Sequence, residues 1–420
     1  MKVIWLCNVM IPQIAKEIGL TGSPFGGWLS GLYDDLKSNR DINLTILFPM
    51  TTSSNIVKGN VGKDSYFGFN RNKKIEEQFI SLLTDINPSI IHIFGTEYDH
   101  SLHMVNACKK AGYIDRVVIS IQGLVSVYYS HYTANLPMKI IHGWSLYDLY
   151  RGQNVYFGKR NYYKKGINER SCILQTKYII GRTDWDRSTT FQINPQARYF
   201  VCNETLRNSF YENRWSLESS EKHSIFFSQI NQPIKGFHMF LDVLPNIIRR
   251  YPDTHVYVTG LDLLSNSLKV KYKLTRYMLY LRKKIIEEKL ENYITFLGIL
   301  NESQMCERYL KSHVFISPSA IENSPNSVGE AMLLGVPTIS SDVGGVKNML
   351  THQKDGYIYP FDEPYMIPYY ISKIFDDDNL ASFFSRNARE HALVTHNKQK
   401  NMKGLLHIYK DINNIVLSGE

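Results

Sequence analysis

Two glutamates eight residues apart, Glu322 and Glu330, lie in the stretch "IENSPNSVGEAMLLGVPTISSDVGG", residues 321–345. An ionised carboxylate only accepts hydrogen bonds, which suits it to adjacent hydroxyls. Between the two acids run Ser324, Pro325, Asn326, Ser327, Val328 and Gly329. A loop of this composition leading into a helix can turn backbone N–H groups toward a phosphate. Upstream, Lys235-Gly236 in "NQPIKG" puts a cation beside a residue that permits close approach. Plainer roles are open to each. Glu322 can be a solvated loop acid, Lys235 a surface lysine, and Ser327-x-x-Glu330 a capping box at a helix start. Capping and ligand binding can coexist.

The elements that must hold these residues are legible around them. "HVFIS", 313–317, is a short apolar run and reads as a buried strand. "PSAIENSPNS" reads as a loop. "VGEAMLL" reads as a helix ending at Gly335, a C′ glycine, and "VPTISS" as the next strand. Strand, loop, helix and strand in that order make the unit of a parallel sheet, whose ligands sit beyond the carboxyl ends of the strands. "SIFFSQI", "HVYVTG" and "YITFLG" continue the series in the second half. "KVIWLCNV", "INLTILFP", "IIHIFG", "VVISIQG" and "YIIGRTDWDR" build a similar one in the first. The polar, aperiodic "ENRWSLESSEKH", 212–223, reads as the linker. The expectation is an α/β chain of two doubly wound, Rossmann-like domains facing a central cleft. Residues 1–215 would form the first and 216–400 the second, with a helix at about 400–420 free to pack back on the first.

The whole chain bounds the function class. At 420 residues two domains are expected. The five cysteines are scattered without a C-x-x-C pair, which argues against a disulfide scaffold or a zinc site and suits a reducing cytosol. No apolar run reaches the roughly 18 residues that span a bilayer, and the first strand explains the apolar N-terminus better than a signal peptide does. The formal net charge of +9 favours an anionic partner. "GSPFGG", containing Gly26 and Gly27, lacks the G-x-G-x-x-G spacing of a nicotinamide-binding turn, yet a glycine loop before a helix can still offer N–H groups to phosphate.

Together, the E-x7-E pair, "SPSAIENSPNSVGEAMLLGVPTISSDVGG" and "DGYIYP" at 355–360 resemble glycosyltransferases of the GT-B fold, in the retaining family 4. The resemblance is specific over about residues 224–375. In the first half, "IHIFGTEYDHS", "SIQGLVSVYYSHY" and "GRTDWDR" resemble a bacterial branch that builds surface polysaccharides such as O-antigen, capsule or exopolysaccharide. The resemblance implies a hexosyltransferase (EC 2.4) with a nucleotide-sugar donor and a glycan or polyprenyl-diphosphate-linked acceptor, needing no metal or other cofactor and binding no nucleic acid. It implies that Glu322 accepts from donor-sugar hydroxyls and Glu330 from the ribose. Ser324, Asn326, Ser327 and Val328 would approach the diphosphate, Lys235 would neutralise it as it leaves, and Gly26 and Gly27 would meet it from the other domain.

Two positions depart from the family pattern. Gln229 stands near the usual arginine, and Gln122 near the usual first-domain histidine, with His92 and His131 as alternatives on the acceptor side. Other GT-B enzymes, such as a nucleotide-sugar epimerase, are the nearest rival, and a basic nucleic-acid-binding protein a distant one. Residues 146–170, "LYDLYRGQNVYFGKRNYYKKGINER", interleave basic and aromatic side chains and suggest a cytoplasmic enzyme whose first domain touches an anionic membrane surface.

Overall fold

The computed structural model describes residues 1–20, 26–50, 57–70 and 74–419. They divide into two compact units. Unit 1 comprises residues 1–126, 163–207 and 396–420; unit 2 comprises 127–162 and 208–395.

Unit 1 is built on an eight-stranded sheet: β1 (Lys2–Leu6), β2 (Asn43–Pro49), β3 (Val57–Val61), β4 (Asp64–Phe69), β5 (Ile90–Phe94), β6 (Val117–Ser120), β7 (Tyr178–Gly181) and β8 (Arg198–Val201). The order is β3-β4-β2-β1-β5-β6-β7-β8, parallel throughout except for the β3–β4 pair. All five residues of β5, Ile90 to Phe94, are buried, as expected of a central parallel strand covered on both faces. The helix Lys398–Ser418 seals this core with Leu405, Ile408, Tyr409 and Ile412. Its Tyr409 hydroxyl accepts from Trp5 Nε1 at 2.9 Å.

Unit 2 carries a six-stranded, wholly parallel sheet: β9 (Glu221–Phe227), β10 (His255–Val258), β11 (Ile294–Phe296), β12 (Ser312–Ser317), β13 (Thr338–Ser341) and β14 (Tyr357–Tyr359). Its order is β11-β10-β9-β12-β13-β14. The helix after β9, Phe237–Arg250, buries Phe237, Phe240, Leu241, Leu244 and Ile247, an apolar stripe at helical spacing. In each sheet the strand order reverses direction once beside the first strand, between β1 and β5 and between β9 and β12. Such switch points open a crevice at the carboxyl ends of the strands.

The units differ from the expected domains in two places. The stretch 212–223 is no free linker. β9 already begins at Glu221, and Trp215 is buried, its indole N–H donating to Ser312 O at 2.8 Å. One large aromatic ring ties down an otherwise polar segment. Residues 127–162, expected in the first domain, belong to unit 2. His238 Nε2 meets Ala134 O at 2.7 Å, and the Asp148 carboxylate accepts from Arg276 N at 2.7 Å. Those bonds join pieces of chain about a hundred residues apart, which local pattern does not reveal.

Candidate functional site

The crevice of unit 2 is built by the turns after β9 and β12. After β9, Pro233–Lys235 form one turn of 3-10 helix, and Gly236 follows with φ +71°. A side chain at Gly236 would put its Cβ 1.8 Å from Pro318 O, so the two turns touch through backbone. That contact delivers Lys235 to Glu322. Lys235 Nζ donates to Glu322 Oε1 at 2.6 Å, and Ser319 Oγ donates to the same oxygen at 2.7 Å. The Glu322 backbone is gripped as well. Its carbonyl accepts from Gly345 N at 3.1 Å, and Gly344, at φ +51°, leaves no room there for a Cβ. Glu322 is only 8% exposed, yet its Oε2 accepts no hydrogen bond from the described residues. Lys235 likewise has donors to spare. The arrangement is a charge pair with one acceptor oxygen and two ammonium hydrogens available to a ligand.

The helix after β12 runs Asn326–Leu334, with Pro325 as N-cap and Gly335, φ +83°, as C-cap. The capping box is therefore overturned: Ser327 is already inside the helix, and no side chain caps it. Proline fixes the entry two residues earlier than the Ser-x-x-Glu spacing suggests. Glu330 falls in the second turn and is buried. Asn326 and Ser327 open the first turn, and their own N–H groups, which have no partner within the helix, favour an anion. Val328 is buried, and Ser324 Oγ contacts Met349 Sδ at 3.3 Å. Gln229 is exposed after β9.

Unit 1 places its candidates less uniformly. Gly26, φ +82°, is the N-cap of the helix Gly27–Leu36. A Cβ there would meet Val9 at 2.6 Å on a left-handed backbone, so packing within unit 1 alone accounts for Gly26, while one on Gly27 would meet the movable Arg207 side chain at 2.5 Å. Residues 21–25 of the glycine loop lie outside the described residues. His92 is part of the core: its ring nitrogens contact Tyr409 Oη at 2.6 Å and Ser120 Oγ at 2.7 Å, and burial pushes its pKa down to about 3. Gln122 and His92 share a cavity of about 30 Å³, room for little more than water, beside the buried Arg182–Glu204 ion pair at 2.5 Å. His131 ends a helix, Val125–His131, in an exposed position of unit 2.

A pair that residue-by-residue reading missed sits at the switch point of unit 1. Asn8, just past β1, donates through Nδ2 to Glu97 Oε2 at 3.2 Å, just past β5. His100 Nε2 lies 2.9 Å from Asn8 Oδ1. Burial, followed by the charge of nearby Glu169, pushes the Glu97 carboxyl up to about 7, against the lowering effect of the Asn8 bond. Glu169 is itself held by the N–H groups of Val125 and Ser126 and by Thr96 Oγ1. The available signal was "GTE" directly after an apolar strand. Among the described residues no group of three or more His, Cys, Asp or Glu is arranged to hold a metal ion.

Comparison with known proteins shows what this geometry is similar to. The family model described as Glycosyl transferases group 1 matches residues 209–391, the span that carries Lys235, Glu322 and Glu330. This span of unit 2 is thus similar to the group 1 glycosyltransferases. A protein of Bacillus subtilis named as a putative glycosyltransferase, YtcC, is 24% identical over 183 residues. The match spans 43% of this chain and 43% of that protein, less than half the length of either. Likeness of fold extends further. Sucrose-phosphate synthase of Thermosynechococcus elongatus superposes with a TM-score of 0.71 at 13% identity, covering 98% of this chain and 99% of the other. HepE of Anabaena, solved with UDP-glucose, gives 0.69 at 15% identity, covering 98% and 100%. The two parallel-sheet units thus have the GT-B fold, and the Lys235–Glu322 pair lies in the span that matches the group 1 model.

Proposed function

We propose that the protein is a retaining glycosyltransferase that takes a sugar from a nucleotide diphosphate in unit 2 and passes it to a glycan or lipid-linked acceptor in surface-polysaccharide synthesis. The observation that carries this reading is the Lys235–Glu322 pair inside the span that matches the group 1 model, with Glu322 Oε2 unengaged. In this reading Glu322 accepts from the donor-sugar hydroxyls, and Glu330 from the ribose. Lys235 turns toward the diphosphate, and the N–H groups of Asn326 and Ser327 meet the same charge. The bond from the anomeric carbon to the phosphate oxygen breaks, and the acceptor oxygen bonds to that carbon on the same face. The departing phosphate takes the acceptor proton. Fixed donors that face charge as it develops stabilise such a departure most. Ser324 and Val328 shape the loop, Gly26 and Gly27 keep the diphosphate role the resemblance implies, and no resident metal is called upon. HepE was solved with UDP and UDP-glucose, so uridine donors are the first to try.

The decisive experiment incubates the protein with UDP-sugars and candidate acceptors in EDTA and reads product anomers by NMR. An α-linked product from an α-linked donor supports the proposal. A β-linked product, or turnover only after metal is restored, overturns retention or metal independence respectively.

The same reading includes work at a membrane surface. In unit 2, Leu146 is 70% and Tyr150 77% exposed, and Met138, Leu149, Tyr156 and Phe157 are also exposed, interleaved with Lys139, Arg151, Lys159 and Arg160. No helix among the described residues is long and apolar enough to cross a bilayer. Apolar side chains that dip into headgroups, with cations worth roughly 1 kcal/mol each near anionic lipid, give salt-sensitive peripheral binding. Flotation with anionic liposomes should be strong at low salt and should be lost in the Lys159→Ala/Arg160→Ala variant. Equal flotation of variant and wild type would remove the membrane from the reading.

A further inference from the structure

Unit 2 holds a second concavity that the donor reading does not use. It is a cavity of about 380 Å³, within the range of small-molecule sites. One wall is the segment 132–155; the other is formed by the turn after β9 and residues 273–278. Gln232 and Pro233 of that turn immediately precede Lys235, so the cavity adjoins the donor turn along the chain.

Its wall is rigid. Tyr277 is buried, and its hydroxyl lies 3.2 Å from His238 Nδ1, while His238 Nε2 meets Ala134 O at 2.7 Å. Asp148, the acid in the lining, is held through one oxygen, Oδ2, which accepts from Ser145 N at 3.0 Å and Arg276 N at 2.7 Å. Asn154 is spent, donating to the carbonyls of His142 and Gly143 and accepting from Phe157 N.

The charge balance of the lining is positive, two cations against the one carboxylate of Asp148. Arg151 and Lys273 both line the cavity, and neither pairs with a carboxylate among the described residues. Arg151 lies over the Tyr147 ring, its guanidinium carbon 5.7 Å from the centroid, which orients it without neutralising it. Beside these two cations are the carboxamides of Gln153 and Gln232 and the rings of Tyr132 and Tyr147. Flat rings suit the C–H faces of a pyranose, carboxamides suit its hydroxyls, and two unpaired cations suit an anionic substituent.

We propose that this cavity is a binding subsite for an anionic sugar, one carrying a carboxylate or a phosphate, and that it selects acceptors bearing such a sugar. Only the word acceptor rests on the proposed transferase activity; the binding site stands on the cavity itself.

The test is saturation-transfer NMR on the full chain with glucuronate, glucose 6-phosphate and glucose, each with excess UDP present to occupy the donor site. Glucuronate against glucose 6-phosphate distinguishes a carboxylate from a phosphate preference. Both charged sugars, or one of them, should bind at least about tenfold more tightly than glucose, the scale of one lost charged hydrogen bond. Arg151→Ala/Lys273→Ala should abolish that preference, and Arg151→Lys/Lys273→Arg should retain much of it. Equal binding of glucose and the charged sugars, or an unchanged preference in the alanine variant, overturns the proposal. UDP binding, measured separately by thermal shift, tells the two readings apart. Absence of any sugar preference in the wild-type protein, with UDP bound normally, refutes the subsite alone. A charged-sugar preference in a protein that binds none of UDP, GDP, ADP and dTDP refutes the donor site and leaves the subsite standing.

Discussion

The two sheets present their switch points differently. In unit 2, opposite charges meet there: Lys235 on Glu322, with a second donor from Ser319 and a backbone seat made by Gly236 and Gly344. In unit 1 the corresponding place holds a neutral amide against an acid, Asn8 on Glu97, with a second acid, Glu169, close enough to raise the first. The unit 2 pair is suited to exchanging its internal partners for the hydroxyls and diphosphate of a charged ligand. The unit 1 pair costs little to keep protonated and uncharged near neutral pH, which suits a neutral hydroxyl compound better than a nucleotide. Similar topology therefore supports two kinds of site, and the side chains at the strand ends decide which.

The largest test of this contrast lies in the glycines. At Gly236 a methyl group would meet a backbone carbonyl; at Gly95, φ +83°, it would meet the movable end of Glu97, whose Oε2 lies 2.2 Å from the ideal Cβ. Both alanine variants incur the left-handed backbone cost of about 1–2 kcal/mol. Gly236→Ala adds a clash that cannot rotate away and should lose about 2–5 kcal/mol in all. Chemical denaturation measures both; equal losses would mean that the turns after β9 and β12 are not locked together as described.

Next in size is Glu322→Ala. Losing a charged acceptor should lower kcat by roughly 10- to 100-fold, an energy of about 1.5–3 kcal/mol. Lys235→Ala should cost a similar amount, and the double variant less than the product of the two, because each single change leaves the other charge half-buried and unpaired. Independent, multiplicative effects in the kinetics would show that the pair does not act as a unit. Asn8→Ala should leave nucleotide affinity unchanged, and a weakened affinity would erase the division of labour between the units.

The smallest effect concerns pH. The Glu97 carboxyl titrates near 7 in the fold, above the roughly 4.3 of a free glutamate. Between those values the folded state holds more protons than the unfolded one, so stability falls as pH rises through that window. Glu97→Gln removes this titration. The variant should gain thermal stability relative to wild type at pH 8 and show a smaller gain or none at pH 4.5. A difference in Tm that is the same at both pH values would place the Glu97 carboxyl in ordinary solvent.

What the sequence determined by itself was whatever lies in one continuous stretch. The strand, loop, helix and strand around Glu322 and Glu330 could be read because turn formers, apolar runs and a terminal glycine act over a few residues, and the helix does end at Gly335. The alternation that gives two parallel sheets was legible for the same reason. Only the tertiary structure decided contacts between distant segments. Lys235 and Glu322 lie 87 residues apart, and Asn8 and Glu97 lie 89 apart. His92, Ser120 and Tyr409 come from three separate elements, and their bonds draw His92 into the core. Residues 127–162 joined unit 2 through His238 and Arg276, and Trp215 turned an apparent linker into packed structure. Local composition fixes backbone preference within a turn or two, whereas which side chains meet depends on how whole sheets and helices bury their faces.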